Sequence, residues 1–168
     1  MPRAILIASL IFAIAIPFVD AVMAQSEPRL SPPSALDRQF LAQQRDRIDT
    51  MARRNLGRQL NNDRSNNLSI VQTLLDRRLV RADQTLELQA MGVVMGDELA
   101  REFNMKWIIY EDRYGRSRAL RFGNTDNFLF PTTMISRRVE AGSSVDVEAV
   151  YRKAADVVRP LRSPLPFQ

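Results

Sequence analysis

Carboxylates and arginines are the residues in this sequence that could do chemistry, because the 168-residue chain contains no histidine and no cysteine. The sequence therefore holds no Ser-His-Asp triad, no Cys-His pair and no zinc site built on these residues. A Ser-x-x-Lys nucleophile pair is also absent, because the residues three positions before Lys106 and Lys153 are Phe103 and Val150. Phosphate-binding loops, dinucleotide fingerprints and calcium loops are also absent from the sequence. No cofactor and no metal are expected.

The adjacent carboxylates Glu111 and Asp112 are the most prominent acidic pair. They end a segment rich in aromatic and β-branched residues, where neighbouring side chains point to opposite faces of a strand. The two carboxylates therefore cannot converge on one bond. Asp112 lies beside the predicted turn at Tyr114-Gly115, where a carboxylate can accept hydrogen bonds from backbone amides. The favoured interpretation is that Asp112 stabilises this turn.

A carboxylate-dependent hydrolase acting on a cell-envelope polymer is the alternative hypothesis. It needs a second carboxylate about 5–9 Å from the first, and Asp97, Glu98 and Asp126 are the candidates. Asp97 and Glu98 diverge by about 100° on a helix, so surface salt bridges with Arg101 are the favoured interpretation for both. The absence of a recognisable catalytic motif favours a protein that is not an enzyme.

Arginines dominate the positive charge, since the chain has only two lysines and a net charge of +5. They are densest between Arg113 and Arg121 and recur at Arg137-Arg138. These residues either form a solvated sheet edge that discourages aggregation or an interaction surface for an anionic partner. The candidate interaction surface comprises Trp107, Asp112, Tyr114, Arg116, Arg137 and Arg138.

Gly92 and Gly96 lie four residues apart inside the longest predicted helix. Each costs about 1 kcal/mol relative to alanine in a helix interior, so close approach of another backbone should offset that cost. Tight packing within the chain is the favoured interpretation. The alternative is a self-associating structural module, a homodimer built on this helix face.

Hydrophobic periodicity predicts the elements that position these residues. Helices are expected over 34–54, over 68–79, from Asp83 or Thr85 to Phe103, from residue 132 to Gly142, and from Asp146 to Pro160. Strands are expected at 106–111, 117–122 and 127–130, the first of them central or covered because it is apolar on both faces. The predicted fold is α+β, with a small antiparallel three-stranded sheet over about 106–130 packed by the N-terminal helices and two C-terminal helices.

The N-terminal 24 residues have the pattern of a cleavable signal peptide. Arg3 precedes the apolar run Ala4–Phe18, which is too short to span a membrane. Cleavage is expected between Ala24 and Gln25, with Ala21 as a second site. The predicted organisation is a signal peptide over 1–24, a flexible leader over 25–33, a single domain over 34–160 and a flexible tail over 161–168. The mature protein is then periplasmic or secreted, with no transmembrane span.

Three motifs in the second half of the chain occur together in one order. They are Gly92–Leu99 followed by Trp107, then Glu111–Arg116, then Phe130–Glu140. From residue 88 to 146 the sequence resembles the uncharacterised bacterial domain of unknown function numbered 3806. The resemblance implies a small α+β domain in bacterial, often exported, proteins, and it supplies no activity.

The leading functional hypothesis is an exported bacterial envelope protein with a non-catalytic binding role. It would use the 107–116 hairpin and the helix start at 132–138 to bind an envelope protein or an anionic polymer. A nucleic-acid partner is disfavoured because an exported protein meets little nucleic acid.

Overall fold

The computed structural model describes residues 27–162, so the predicted signal peptide and its cleavage sites lie outside the described residues. Five α-helices and four strands follow one another in this range, and a single 3-10 turn at Arg159–Leu161 follows the last helix. In chain order they are β1 (Arg29–Ser31), α1 (Ala35–Leu56), α2 (Arg64–Asp76), α3 (Thr85–Phe103), β2 (Met105–Asp112), β3 (Gly115–Phe122), β4 (Phe128–Leu129), α4 (Thr132–Glu140) and α5 (Val147–Val158).

The strands form one antiparallel sheet in the order β1-β2-β3-β4. This confirms the predicted α+β class and the internal position of β2. The sheet has four strands rather than three, because Arg29–Ser31 pairs with the end of β2 and places Leu30 opposite Tyr110. The flexible leader predicted over 25–33 is therefore wrong at these positions, since three residues are too few to show a strand periodicity.

One helix begins earlier than predicted. Helix α2 starts at Arg64 rather than at residue 68, because the Asp63 side chain accepts the Ser65 backbone N–H at 2.9 Å. Asn67 therefore lies inside the helix, where its side chain bonds elsewhere. Helix α4 begins at Thr132 as predicted, and no side chain caps it. Helix α1 begins after Ser34, which forms a capping box with Asp37.

Helix α3 runs through the core, with eleven of its 19 residues buried. Its two glycines are sites of close packing within the chain. A Cβ added at Gly92 would lie 2.4 Å from the Pro131 carbonyl oxygen and 2.8 Å from that of Thr132. At Gly96 it would lie 2.8 Å from both the Pro131 ring and the Trp107 ring. The start of α4 and strand β2 therefore cover this helix face, which leaves no room for the alternative of self-association through Gly92 and Gly96.

The first residues of the predicted flexible tail pack on the domain. Leu161 packs against the core, and the Arg162 guanidinium lies 5.3 Å from the centre of the Phe103 ring. It also donates a hydrogen bond to the Glu102 carbonyl oxygen at 2.5 Å. The rest of the predicted tail, from 163 to 168, lies outside the described residues.

Alanine at Gly92 should destabilise the protein, against the usual gain from replacing glycine in a helix. The new Cβ meets two backbone carbonyl oxygens, which cannot move without shifting α4. We expect the free energy of unfolding to fall by about 2 kcal/mol, a typical overpacking cost. Gly96→Ala is the matched variant and should cost less, because the new Cβ meets side-chain atoms of Pro131 and Trp107 rather than backbone atoms. Urea denaturation measures both, and a Gly92→Ala protein as stable as wild type would contradict the packing.

Candidate binding cleft between the hairpin and helix α4

A cleft of about 410 Å³ opens between the β2–β3 hairpin and the start of α4, and we call it the hairpin cleft. Its hairpin side consists of Tyr110, Asp112 and the run Tyr114–Arg118. Its other side consists of Gln89 of α3, Phe130, and Thr132, Thr133 and Arg137 of α4. Tyr110 and Phe130 pack edge to face at 5.3 Å between ring centres, so aromatic rings lie within a polar rim.

Four of the six residues predicted for the interaction surface line this cleft. They are Asp112, Tyr114, Arg116 and Arg137, which come from β2, the turn, β3 and α4. The fold places Asp112 and Arg137 in the lining of one cleft, because α4 packs against α3. Their order in the sequence does not show that they line the same cleft.

Trp107 and Arg138 lie outside the cleft. The Trp107 ring packs against Gly96, and its Nε1–H donates a hydrogen bond to Asp97 Oδ1 at 2.8 Å. Trp107 lies roughly 17 Å from Asp112 along strand β2, at about 3.3 Å per residue. The Arg138 guanidinium bonds to the carbonyl oxygen of Met134, one turn earlier on α4. Both residues support the fold around the cleft.

Asp37 is the important residue that the sequence analysis missed. Its side chain is 3% exposed, and its carboxylate receives Arg116 Nη2 at 2.6 Å and Arg118 Nη2 at 3.0 Å. These two ion pairs fasten strand β3 to the N-terminus of α1. The hydrogen bond from Arg116 holds the Asp37 pKa far below its usual value, against the opposing effect of burial. The one sequence signal for Asp37 is its position three residues after Ser34, a spacing typical of a capping box.

Two polar atoms beside the cleft have no hydrogen-bond partner among the described residues. One is Arg118 Nε, whose guanidinium lies 3.9 Å from the centre of the Phe40 ring. The other is Thr132 Oγ1 in the first turn of α4. Buried polar atoms in proteins nearly always have a hydrogen-bond partner, so these two atoms are exceptions.

The turn at the tip of the hairpin is stabilised by Asp112. Its Oδ1 accepts the Tyr114 backbone N–H at 2.8 Å, which confirms the interpretation that this carboxylate supports the turn. Tyr114 is 81% exposed, and the Arg113 guanidinium stacks 4.7 Å from its ring centre. A large aromatic side chain is therefore presented at the mouth of the cleft.

The other carboxylates named for catalysis are held in separate interactions. Asp97 pairs with Arg45 and accepts the Trp107 indole N–H, so the predicted pairing of Asp97 with Arg101 is wrong. Glu98 does pair with Arg101, but the glutamate is buried rather than on the surface. Asn67 Nδ2 also donates to it at 2.7 Å.

Asp126 is the most exposed of the three, with its side chain 93% accessible and 3.7 Å from Arg121.

The pKa values of Asp37 and Glu102 are lowered, mainly by hydrogen bonds from Arg116 and Tyr151 respectively. A carboxyl group that serves as a general acid needs the opposite shift.

Two kinds of feature are absent from residues 27–162. No cluster of three or more acidic side chains is arranged to bind a metal ion. None of the helices in this range combines the length and apolarity that crossing a membrane requires.

The contribution of Asp37 to stability should depend on pH. Because its folded-state pKa is depressed, its stabilising effect is present above the unfolded pKa of about 3.9 and is lost as the pH falls through the folded value. We expect Asp37→Asn to lower the free energy of unfolding by about 1–2 kcal/mol at pH 7. The difference from wild type should shrink steadily from pH 5 to pH 2. Urea denaturation across this range tests it, and a difference that is constant with pH would contradict the ion pairs.

Comparison with known proteins gives a family and a structural relative. Residues 67–151, half of the chain, match the family described as a domain of unknown function (DUF3806). No curated protein matches the sequence.

A crystal structure of a protein from Bacteroides thetaiotaomicron is similar in fold, with a TM-score of 0.71 and 16% sequence identity. The match covers 79% of this chain and 48% of that one, so the chain spans about half the length of its structural relative. At this identity the likeness shows the fold alone. The family match covers α3, the hairpin and α4, the elements that form the hairpin cleft, and the chain belongs to the DUF3806 family.

Proposed function

We propose that this protein is a non-catalytic binding domain of the bacterial cell envelope, and that the hairpin cleft docks a partner protein. The observation that carries the proposal is one cleft lined by the exposed Tyr114 and by three arginines, Arg116, Arg118 and Arg137. Tyrosine and arginine are the residues most enriched at the energetic centres of protein interfaces.

Tyr114 presents a large apolar side chain at the cleft. The described residues contain four exposed large apolar side chains: Leu36, Leu86, Tyr114 and Val157. Tyr114 is the one of these four that lines the cleft, and it is 81% exposed. Single exposed apolar residues are common, so the support comes from the presence of Tyr114 beside the aromatic and arginine side chains of the same cleft.

The charge of the cleft favours a partner with an acidic group. Arg116 and Arg118 share the single carboxylate of Asp37. Arg137 is exposed, and no carboxylate among the described residues pairs with it. The cleft therefore keeps positive charge that a glutamate or aspartate of the partner could neutralise. An anionic polymer is the competing partner class.

The same cleft gives little support to a hydrolase. Asp112 is the only carboxylate among its lining residues, and that side chain already bonds the turn. A two-carboxylate mechanism needs a second acidic group at a suitable distance.

The proposal places the protein outside the cytoplasm. The apolar run Ala4–Phe18 and the small residues before Gln25 support a signal peptide. An extracytoplasmic site would also limit the natural partners to envelope proteins and polymers.

Alanine at Tyr114 and at Arg137 should each remove binding of envelope proteins. The matched controls are Val157→Ala, which removes another exposed apolar side chain, and Arg152→Ala, which removes an exposed arginine of α5. Tagged protein recovered from the envelope fraction is compared by quantitative mass spectrometry of its co-purified proteins. We expect partner recovery to fall at least about tenfold for the cleft variants and to stay unchanged for the controls.

Two results of that experiment would contradict the proposal. Equal recovery of partners by the cleft variants and the controls would remove the cleft as the docking surface. Sequencing of the purified protein should begin at Gln25, and an N-terminal Met1 would contradict export.

A further inference from the structure

The hairpin cleft contains a stretch of β-sheet edge without a neighbouring strand. Strand β3 is eight residues long, but β4 pairs only with Leu120 and Arg121. Along the first half of β3, no other strand of residues 27–162 lies on the side away from β2. Arg116, Ser117 and Arg118 of this half line the cleft.

The hydrogen-bonding directions along β3 follow from its pairings. Phe122 donates its N–H to the Asn127 carbonyl on the β4 side. Because these directions alternate along a strand, Leu120, Arg118 and Arg116 also point their N–H and C=O groups to that side. Ser117 and Ala119 point theirs to β2. The open half of β3 therefore offers two donors and two acceptors, from Arg116 and Arg118, to a chain lying in the cleft.

The cleft has side-chain groups that complement an acidic peptide. Arg137 of α4 is exposed and has no carboxylate partner among the described residues. It lies across the cleft from the β3 edge. Tyr110 and Phe130 supply an apolar surface in the same cleft. A strand whose side chains alternate between the two walls could place one acidic residue against Arg137.

We propose that the partner binds as an extended, acid-bearing peptide segment that adds a strand to the open edge of β3, with its carboxylate at Arg137. This inference rests on the proposed docking role of the cleft and specifies its mode. Main-chain hydrogen bonds to Arg116 and Arg118 supply affinity, and the arginine and aromatic groups select the side chains. The open edge from 115 to 119 spans about 13 Å, which suits about four residues of an extended peptide.

A pair of variants at Arg116 isolates the main-chain contribution. Arg116→Ala and Arg116→Pro both remove the ion pair with Asp37, but only proline removes the outward N–H. The N–H of residue 116 does not bond to β2, so proline is compatible with this edge position. Thermal melts of the two variants test whether both are folded.

The probe is a phage-displayed library of random heptapeptides, selected on the wild-type protein. We expect the selected peptides to contain aspartate or glutamate and to lack a central proline. Fluorescence polarisation with the best peptide should show that Arg116→Pro binds about tenfold or more weakly than Arg116→Ala, the effect of about one lost hydrogen bond.

A second measurement needs no protein variant. Two isomers of the selected peptide are N-methylated at alternate residues, one set on each edge of the extended chain. Only the isomer methylated on the edge that faces β3 should lose binding.

The possible results distinguish the strand-addition proposal from the proposal that the cleft docks a partner. Strand addition is overturned if Arg116→Pro and Arg116→Ala bind alike, if both methylated isomers bind alike, or if no acidic peptide is selected. The docking role survives such a result when Tyr114→Ala and Arg137→Ala still lose their envelope partners. If those variants also keep their partners, both proposals fail.

Discussion

The contact of Pro131 with two glycines of helix α3 determines the position of both walls of the hairpin cleft. The Pro131 carbonyl lies against Gly92 and its ring against Gly96, at distances that exclude any side chain larger than hydrogen. The same Gly96 receives the Trp107 ring of β2. Helix α3 therefore holds the start of α4 and strand β2 on one surface, and the cleft lies between them.

Pro131 also explains why the edge of β3 is open. The register that pairs Leu120 with Leu129 would bring Pro131 opposite Arg118. Proline has no N–H to offer, and its backbone is already helical, with φ −61° and ψ −33°. Strand pairing therefore stops at Leu129, and the chain turns into α4. Asp37 also fixes the position of β3, because its ion pairs with Arg116 and Arg118 anchor this strand to α1.

The sequence predicted the elements well where local chemistry determines them. The ends of α3, the cap at Asp146 and the turn role of Asp112 all follow from short-range patterns. Strand β1 was missed because Arg29–Ser31 becomes a strand only by pairing with β2.

The candidate site was predicted only in part, because sequence patterns show neighbours along the chain but not contacts between distant segments. Tyr114, Arg116 and Asp112 are close in sequence, whereas the ion pair of Asp37 with Arg116 joins residues 79 positions apart. Trp107 lies outside the cleft because its ring packs against Gly96, and the sequence does not show whether an aromatic residue on a strand faces a cleft or a glycine.

Amide hydrogen exchange along β3 tests most directly whether the cleft contains an open strand edge. In the free protein, Ser117 and Ala119 should be protected at least about a hundredfold, because their N–H groups bond to β2. Arg116 and Arg118 should exchange within about tenfold of the rate of an unstructured chain, because their N–H groups face the cleft. Equal protection at all four residues would show that this edge is already occupied, and it would contradict the presence of an open β3 edge in the cleft.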